Sequence, residues 1–260
     1  MMRALALLAL CGCTNANLYS STLEPNLPNK IGVQADICTD DPSNVAFPEK
    51  LLVVMDGTTQ FVAVDPMASR ASAVNNLIMR YQQNPNYSFG IIQYAGQATS
   101  ETMGFPTDTA QVSMAVQQLQ IGTTDGNRSY INALRAISAA VEDDILHSPP
   151  GLRSRTRYKI ILVSYGPPNP DLQTSLCQAL AIPVMDPMCQ DAFLSNFCPT
   201  DQPAPADCEG LYYTRQVTAL RSFALSQGAQ DLEFHAIALG NDKRMTGLLN
   251  QMATAGHGTF

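Results

Sequence analysis

The sequence lacks any long cluster of basic residues. Lys and Arg number 15 against 22 Asp and Glu, which gives a formal net charge of −7. The densest basic stretch is the interrupted RSRTR that begins at Arg153. A surface with this balance repels phosphate backbones and anionic lipid headgroups. We therefore expect no nucleic-acid partner.

The motifs of common catalytic sites are also missing. No G-x-S-x-G, P-loop, H-E-x-x-H or G-x-G-x-x-G pattern occurs. The three histidines, His147, His235 and His257, have no second ligand at metal-binding spacing. No nucleophile with a base in reach can be named, so no catalytic residue is assigned and the protein is not expected to be an enzyme. A hydrolase on a doubly wound sheet is the less favoured alternative.

No apolar run reaches the roughly 20 residues of a membrane span. Residues 1–12, MMRALALLALCG, combine one arginine with a short Ala and Leu run, which is typical of a secretory signal peptide. The motif LCGC at 10–13 resembles the bacterial lipobox, and this resemblance implies that Cys13 carries the lipid. The alternatives are an ordinary signal peptide with a later cut, or a cytosolic start. The lipobox interpretation predicts an exported lipoprotein anchored to the cell envelope, with the outer membrane favoured.

Residues 13–48 are rich in Asn, Ser, Pro and Thr and show neither a helical nor a strand period. They are predicted to form a lipid-anchored tether.

From residue 49 to residue 260 the pattern changes to alternating strands and helices. The runs LLVVM at 51–55 and YKIILV at 158–163 are apolar throughout, as in strands buried on both faces of a parallel sheet. Apolar stripes at helical spacing fill 65–84, which begins with Asp65 before Pro66, and 129–148. The predicted fold class is α/β, with a doubly wound, mostly parallel sheet flanked by helices.

Cysteine use indicates a stapled insertion at about residues 167–209. An exported chain with clustered cysteines is typically disulfide-bonded. Zinc is the alternative, but the chain has no CxxC pair and the insertion has no histidine, so zinc is disfavoured. The exported part has five cysteines, so one of them stays outside any pair, and the sequence does not decide how the others are paired. They are Cys38, Cys177, Cys189, Cys198 and Cys208.

Three loops are expected at the edge of the sheet where the parallel strands end. They are DGTTQ at 56–60 after the first strand, IGTTDGNRSYINAL at 121–134 before a helix, and SYGPPNPD at 164–171 after YKIILV. In order and spacing they resemble the loops of the von Willebrand factor A domain, also called the integrin I-like fold. The resemblance covers about residues 48–260 and implies a metal-ion-dependent adhesion site, in which hydroxyls and carboxylates hold Mg²⁺.

The match to that metal site is partial. Asp56 and Thr58 keep a carboxylate and a hydroxyl, while Gln60, Arg128 and Tyr165 stand where the family has Ser, Thr and Asp. Thr124 and Asp125 are the best sources of replacement oxygens, with Thr123 and Ser129 as further ones. A cationic arginine and a bulky neutral tyrosine act against a cation, so Mg²⁺ is disfavoured and no cofactor is expected. Asp56 is instead predicted to accept backbone N–H bonds in its turn or to pair with Arg128.

These observations predict a non-catalytic adhesion module with a degenerate metal site. It would dock a protein or glycan partner through the loop face and the insertion, and reach the membrane only through its lipid. The alternative is a structural envelope lipoprotein that has lost ligand binding.

Overall fold

The structure is a computed structural model that describes residues 13–14, 37–38, 47–106, 108–174 and 205–260. The chain divides into two units, Met1–Ala46 and Phe47–Phe260. In the first unit, β1 (Cys13–Thr14) pairs antiparallel with β2 (Ile37–Cys38), and Cys13 lies opposite Cys38. The signal-peptide prediction for residues 1–12 falls outside the described residues, and lipidation of Cys13 stays a prediction.

The second unit alternates strands and helices, as predicted. In the described residues its elements are, in chain order, β3 (Glu49–Asp56), α1 (Thr59–Val64), α2 (Ser69–Tyr81), β4 (Tyr87–Tyr94), β5 (Ala98–Ser100), α3 (Thr109–Ile121), α4 (Tyr130–His147), α5 (Pro150–Arg153), β6 (Arg157–Ser164), α6 (Pro205–Ser226), β7 (Asp231–Ala238) and α7 (Lys243–Ala255). The sheet order is β5-β4-β3-β6-β7; only β5 is antiparallel to its neighbour. The predicted α/β class with a mostly parallel sheet is confirmed.

The central strand β3 is buried on both faces because its apolar side chains alternate between two cores. Leu52 and Val54 face a core built with α4, α6 and α7. Leu51, Val53 and Met55 face a second core built with α1, α2 and α3. Since successive side chains of a strand point to opposite sides, a fully apolar run is what a sheet between two helical layers requires.

The start of α2 differs from the sequence prediction. We expected a helix from Asp65 and Pro66, but α2 begins at Ser69, after Ala68 adopts a left-handed conformation with φ 49°. The Asp65 carboxylate accepts the N–H groups of Ser69 (2.8 Å) and Arg70 (3.1 Å), so it caps the helix from several residues upstream. The short helix α1, between the first site loop and Asp65, was not predicted.

The outer edge of β7 is covered by the last residues of the chain. Phe234 N–H donates to Gly256 O and Ala236 N–H donates to Thr259 O, each at 3.0 Å. A Cβ on Gly258 would lie 2.1 Å from Phe234 O, so this close approach of two backbones requires glycine. Residues 256–259 therefore form an extended segment along β7.

The predicted disulfide staple is described at one cysteine only. Cys208 in α6 is fully buried and in the disulfide-bonded state. Cys177, Cys189 and Cys198 lie outside the described residues, so the pairing of the insertion stays a prediction. Among the helices of the described residues, none has the length and apolarity that a membrane crossing needs.

Candidate functional site: three loops around Asp56

Asp56 ends the central strand and is fully buried. Its Oδ1 accepts hydrogen bonds from Thr58 N–H (3.0 Å) and from the Thr58 hydroxyl (2.8 Å). Its Oδ2 accepts from Arg128 Nε (2.5 Å) and from the backbone N–H of Tyr165 (3.1 Å). A buried carboxylate needs such partners, because desolvation would otherwise make the charged form very costly.

Arg128 supplies the countercharge from the second loop, just before α4. Its side chain is only 3% exposed and pairs with Asp56. That carboxylate therefore has both of the predicted partners, a backbone N–H of its own turn and Arg128. The remaining nitrogens also face oxygens: Nη2 lies 3.0 Å from Thr58 Oγ1 and 3.5 Å from Gln60 Oε1, and Nη1 donates to Pro167 O at 3.2 Å. The guanidinium therefore contacts groups of the first and third loops together.

The third loop, after β6, is shaped to receive this guanidinium. A Cβ on Gly166 would lie 2.6 Å from Arg128 Nη1 and 3.2 Å from Cζ, so glycine leaves the space that the side chain fills. The backbones of Arg128 and Asn169 form an antiparallel bridge, with Asn169 N–H donating to Arg128 O at 2.9 Å. The loops are thus joined by main-chain as well as side-chain contacts.

The hydroxyl of Tyr130, the first residue of α4, contacts the third loop. Its hydroxyl lies 3.0 Å from Ser164 Oγ and 2.9 Å from Gly166 O, while Ser164 Oγ donates to the same carbonyl at 2.9 Å. Burial raises the pKa of the Tyr130 hydroxyl well above its usual range, so the group stays protonated and can donate. Tyr130 therefore positions the residues that surround Arg128.

The other predicted ligands point elsewhere. Asp125 accepts Gly96 N–H (3.1 Å) on one oxygen and Asn127 N–H (2.8 Å) on the other, and Thr124 is exposed. The Tyr165 ring stacks on Phe61, with centroids 5.6 Å apart, and only its backbone N–H reaches Asp56. Of the residues named from the sequence, Asp56, Thr58, Gln60 and Arg128 come together through their side chains.

A divalent cation does not fit this arrangement. Mg²⁺ requires several oxygen ligands at about 2.1 Å in near-octahedral geometry. Both oxygens of Asp56 already accept hydrogen bonds, and the side of Oδ2 is occupied by a positive charge. Over the described ranges, no group of three or more His, Cys, Asp or Glu could hold a metal ion.

His235 lies between a carboxylate and a hydroxyl, as a catalytic histidine does. His235 Nε2 lies 3.1 Å from Glu233 Oε2, and its Nδ1 lies 3.0 Å from Thr259 Oγ1. The backbone N–H of Thr259 also donates to Nδ1 at 3.0 Å, which occupies the lone pair that a general base would use. Two cavities of about 450 and 320 Å³ are lined by other residues. The contacts among Glu233, His235 and Thr259 anchor the C-terminal segment to β7, and they give no support to the hydrolase alternative.

The comparisons with known proteins show similarity of fold at low sequence identity. No protein-family model matches the sequence, and neither does any curated protein. The D319A mutant of the PilB minor pilin from Streptococcus sanguinis has a TM-score of 0.54 at 11% identity, with 90% of this chain and 67% of that chain covered. The vWF domain of the type V pili tip protein Mfa5 from Porphyromonas gingivalis has a TM-score of 0.48 at 14% identity, with 83% and 90% covered.

Proximal thread matrix protein 1 from the mussel byssus has a TM-score of 0.46 at 14% identity. The match covers 83% of this chain but only 41% of the mussel protein, so the chain spans about two fifths of that protein's length.

The features that define the fold lie in the chain itself: a mostly parallel sheet between two helical layers, and three loops that meet at the end of its central strand. With these features, the chain has a von Willebrand factor A-like fold.

Proposed function

We propose that this protein is a non-catalytic binding module of the cell envelope that docks a protein or glycan partner through its loop face without a divalent cation. The observation that carries the proposal is the closed cluster of Asp56, Thr58 and Arg128, which holds the loops together by groups of the chain itself. The S. sanguinis neighbour is a minor pilin by name, which supports an exported setting.

Apolar side chains exposed near this cluster supply a contact surface. Val64 is 53% exposed at the end of α1, Met67 is 83% exposed before α2, and Ile121 is 69% exposed at the end of α3. These segments are adjacent, because Gly122 packs against Val62 and Arg70 Nη2 donates to Gln120 O at 3.4 Å. Exposed apolar groups that adjoin one another commonly mark an interaction site.

The proposal predicts that Met67→Glu and Ile121→Glu each weaken saturable binding by about tenfold or more, since a charge at the centre of an apolar contact costs on the order of 1.4 kcal/mol or more. Binding of the purified protein to immobilised envelope proteins and to a glycan array would be measured in EDTA and in MgCl₂. Met103→Glu is the matched control, because Met103 is 94% exposed in the loop that packs near the amino-terminal half of the strands. Equal losses in all three variants, or binding that requires Mg²⁺, would contradict the proposal.

The absence of any saturable partner would favour the second candidate, a structural envelope lipoprotein. The specific observation on its side is the same cluster, since the Arg128 side chain is buried and already paired with Asp56, so it offers no open position to an acidic group of a partner.

Anchoring through Cys13 is part of the proposal and has its own test. We expect a fatty-acid probe to label the protein in cells, and Cys13→Ser to abolish the label because the acceptor sulfur is gone. Cys11→Ser is the control, since it removes a neighbouring sulfur but leaves the lipidated cysteine in place. Labelling that persists in Cys13→Ser would rule out this anchor.

A further inference from the structure

We infer that the partner of this protein contributes an amphipathic helix, whose apolar side packs into an open groove between α2 and β7. This inference rests on the proposed binding function and names the chemistry of the partner, a protein helix rather than a glycan. The α2–β7 groove is the cavity of about 450 Å³. Strands β3, β6 and β7 form its floor and α2 forms one wall, and its apolar lining includes Met55, Leu77, Val163, Ile237 and Leu239.

The groove exists because the two faces of the sheet are covered unequally over β7. Leu232, Phe234 and Ala236 face the core built with α4, α6 and α7, and each is at most 3% exposed. The alternate positions point to the opposite face, where Ile237 is 45% exposed and Leu239, just after the strand, is 46% exposed. Parallel sheets are typically covered by helices on both faces, so this exposed apolar area is one that a further helix would cover.

The open area has the width of one helix. Strands β6 and β7 are neighbours and together span about 10 Å, which is the diameter of a helix with its side chains. A partner strand does not fit at the outer edge of β7, because the N–H groups of Phe234 and Ala236 already donate to the last residues of the chain. The open part of the sheet is thus its face, and helices are the elements that cover the faces of such sheets.

The polar groups of the groove favour an apolar protein surface over a glycan. Among the described residues that line it, the polar ones are Asp65, Ser69 and Arg70. Asp65 accepts the N–H groups of both other residues and pairs with the Arg70 guanidinium at 2.9 Å, so the three are bonded to one another. A sugar would bury hydroxyls here without a partner, at a cost of about 1–3 kcal/mol each, whereas the apolar side of a helix would not.

A second copy of this chain does not offer such a helix from its described residues. The apolar side of an amphipathic helix has large apolar residues three or four positions apart. Of the helices in the described ranges, α3 exposes Met114 and Ile121, which are seven positions apart, and no other helix exposes more than one large apolar side chain. The helix therefore comes from a different protein.

The first test compares Ala73→Glu with Asn75→Glu in the full chain. Both residues are exposed on α2 and each change adds one negative charge, but Ala73 lines the α2–β7 groove, whereas Asn75 lines the other cavity, beside α3. The probe is a displayed library of helical peptides of about 20 residues, selected on the wild-type protein in EDTA. We expect selected peptides to carry apolar residues at positions i, i+3, i+4 and i+7. Ala73→Glu should weaken their binding by about tenfold or more, and Asn75→Glu by about twofold or less.

A second pair of variants tests the floor of the groove. Ile237→Glu places a charge on β7, and Leu225→Glu is its control, because Leu225 is 37% exposed on α6 in the opposite helical layer. Ile237→Glu should lose peptide binding by about tenfold or more while Leu225→Glu retains it. Circular dichroism should show all four variants folded, since the replaced side chains are exposed.

Three results would overturn the inference. One is that no helical peptide is selected, as expected if the groove is filled by the chain's own residues 175–204, which lie outside the described residues. Another is that selected peptides bind Ala73→Glu and Ile237→Glu as tightly as the wild type. The third is a wild-type dimer in analytical ultracentrifugation that Ile237→Glu dissociates, since a second copy would then fill the groove.

Binding to immobilised envelope proteins, measured with the same four variants, separates this inference from the proposed function. Saturable binding that Ala73→Glu and Ile237→Glu reduce, and that their controls retain, supports both. Saturable binding that all four variants retain overturns the inference and leaves the proposed function standing. Groove-dependent peptide binding without any envelope partner would contradict the proposed function while supporting the helix site.

Discussion

Replacing Arg128 with methionine is expected to lower the free energy of unfolding by about 3–5 kcal/mol. Methionine fills much of the same volume but leaves Asp56 as a fully buried carboxylate without its countercharge. The hydrogen bonds from Thr58 and the Tyr165 amide would remain, and they offset only part of that cost. Urea denaturation followed by circular dichroism measures the change, provided that the slope of the transition is unchanged.

Two comparisons isolate the buried charge in that experiment. Lys159→Met breaks the pair with Glu49, in which the lysine side chain is 34% exposed, and should cost about 1 kcal/mol or less because solvent screens it. The double variant Asp56→Asn with Arg128→Met removes both charges and should recover part of the loss. An Arg128→Met protein as stable as Lys159→Met would show that the central pair adds nothing beyond a surface pair.

Truncating Tyr130 to alanine should cost a similar amount, about 3–5 kcal/mol, because it deletes a fully buried aromatic ring. That ring packs edge-on to Tyr94, with centroids 6.2 Å apart, and lies 5.7 Å from Tyr213. Tyr130→Phe keeps the ring and removes only the hydroxyl that contacts Ser164 and Gly166 O, so its cost should be about 1–3 kcal/mol.

The same denaturation measurement separates the ring from the hydroxyl. Tyr81→Phe is the control, since Tyr81 is half-buried on α2 and stacks with Tyr87; its change should stay within about 0.5 kcal/mol. A double-mutant cycle between Tyr130→Phe and Arg128→Met should show coupling, because the Gly166 loop lies between them. Strict additivity would mean that Tyr130 does not position the loop around Arg128.

The order of strands and helices was predictable because the signals are local. The apolar run at 51–55 and the stripe along α4 can be recognised within one element, and the parallel sheet follows from their alternation. The predicted start of α2 was wrong because Asp65 caps the helix from four residues before its first residue. Pro66 therefore lies before the helix and not in its first turn.

The site was predictable in its side chains and not in its backbone. The resemblance to the loops of the von Willebrand factor A domain placed Arg128 at a ligand position near Asp56, and the opposite charges of the two side chains predicted their ion pair. The Tyr165 amide and the Pro167 carbonyl could not be foreseen, since every residue type except proline offers the same amide and all offer the same carbonyl. Asp125 was a predicted metal ligand because it carries a carboxylate in the second loop. In the structure this carboxylate accepts hydrogen bonds from the N–H groups of Asn127, in the same loop, and Gly96.

The distance along the chain between the groups that meet at Asp56 has a consequence for the order of events in folding. Arg128 lies 72 residues from Asp56, and the Tyr165 amide lies 109 residues away. Contacts of such separation require large loops to close, so they are expected to form after the local helices and the first strand pairs. Interactions that are absent from the transition state slow unfolding without speeding folding. For a protein of the envelope surface, as proposed, this buried ion pair would therefore lengthen the lifetime of the native state against extracellular proteases.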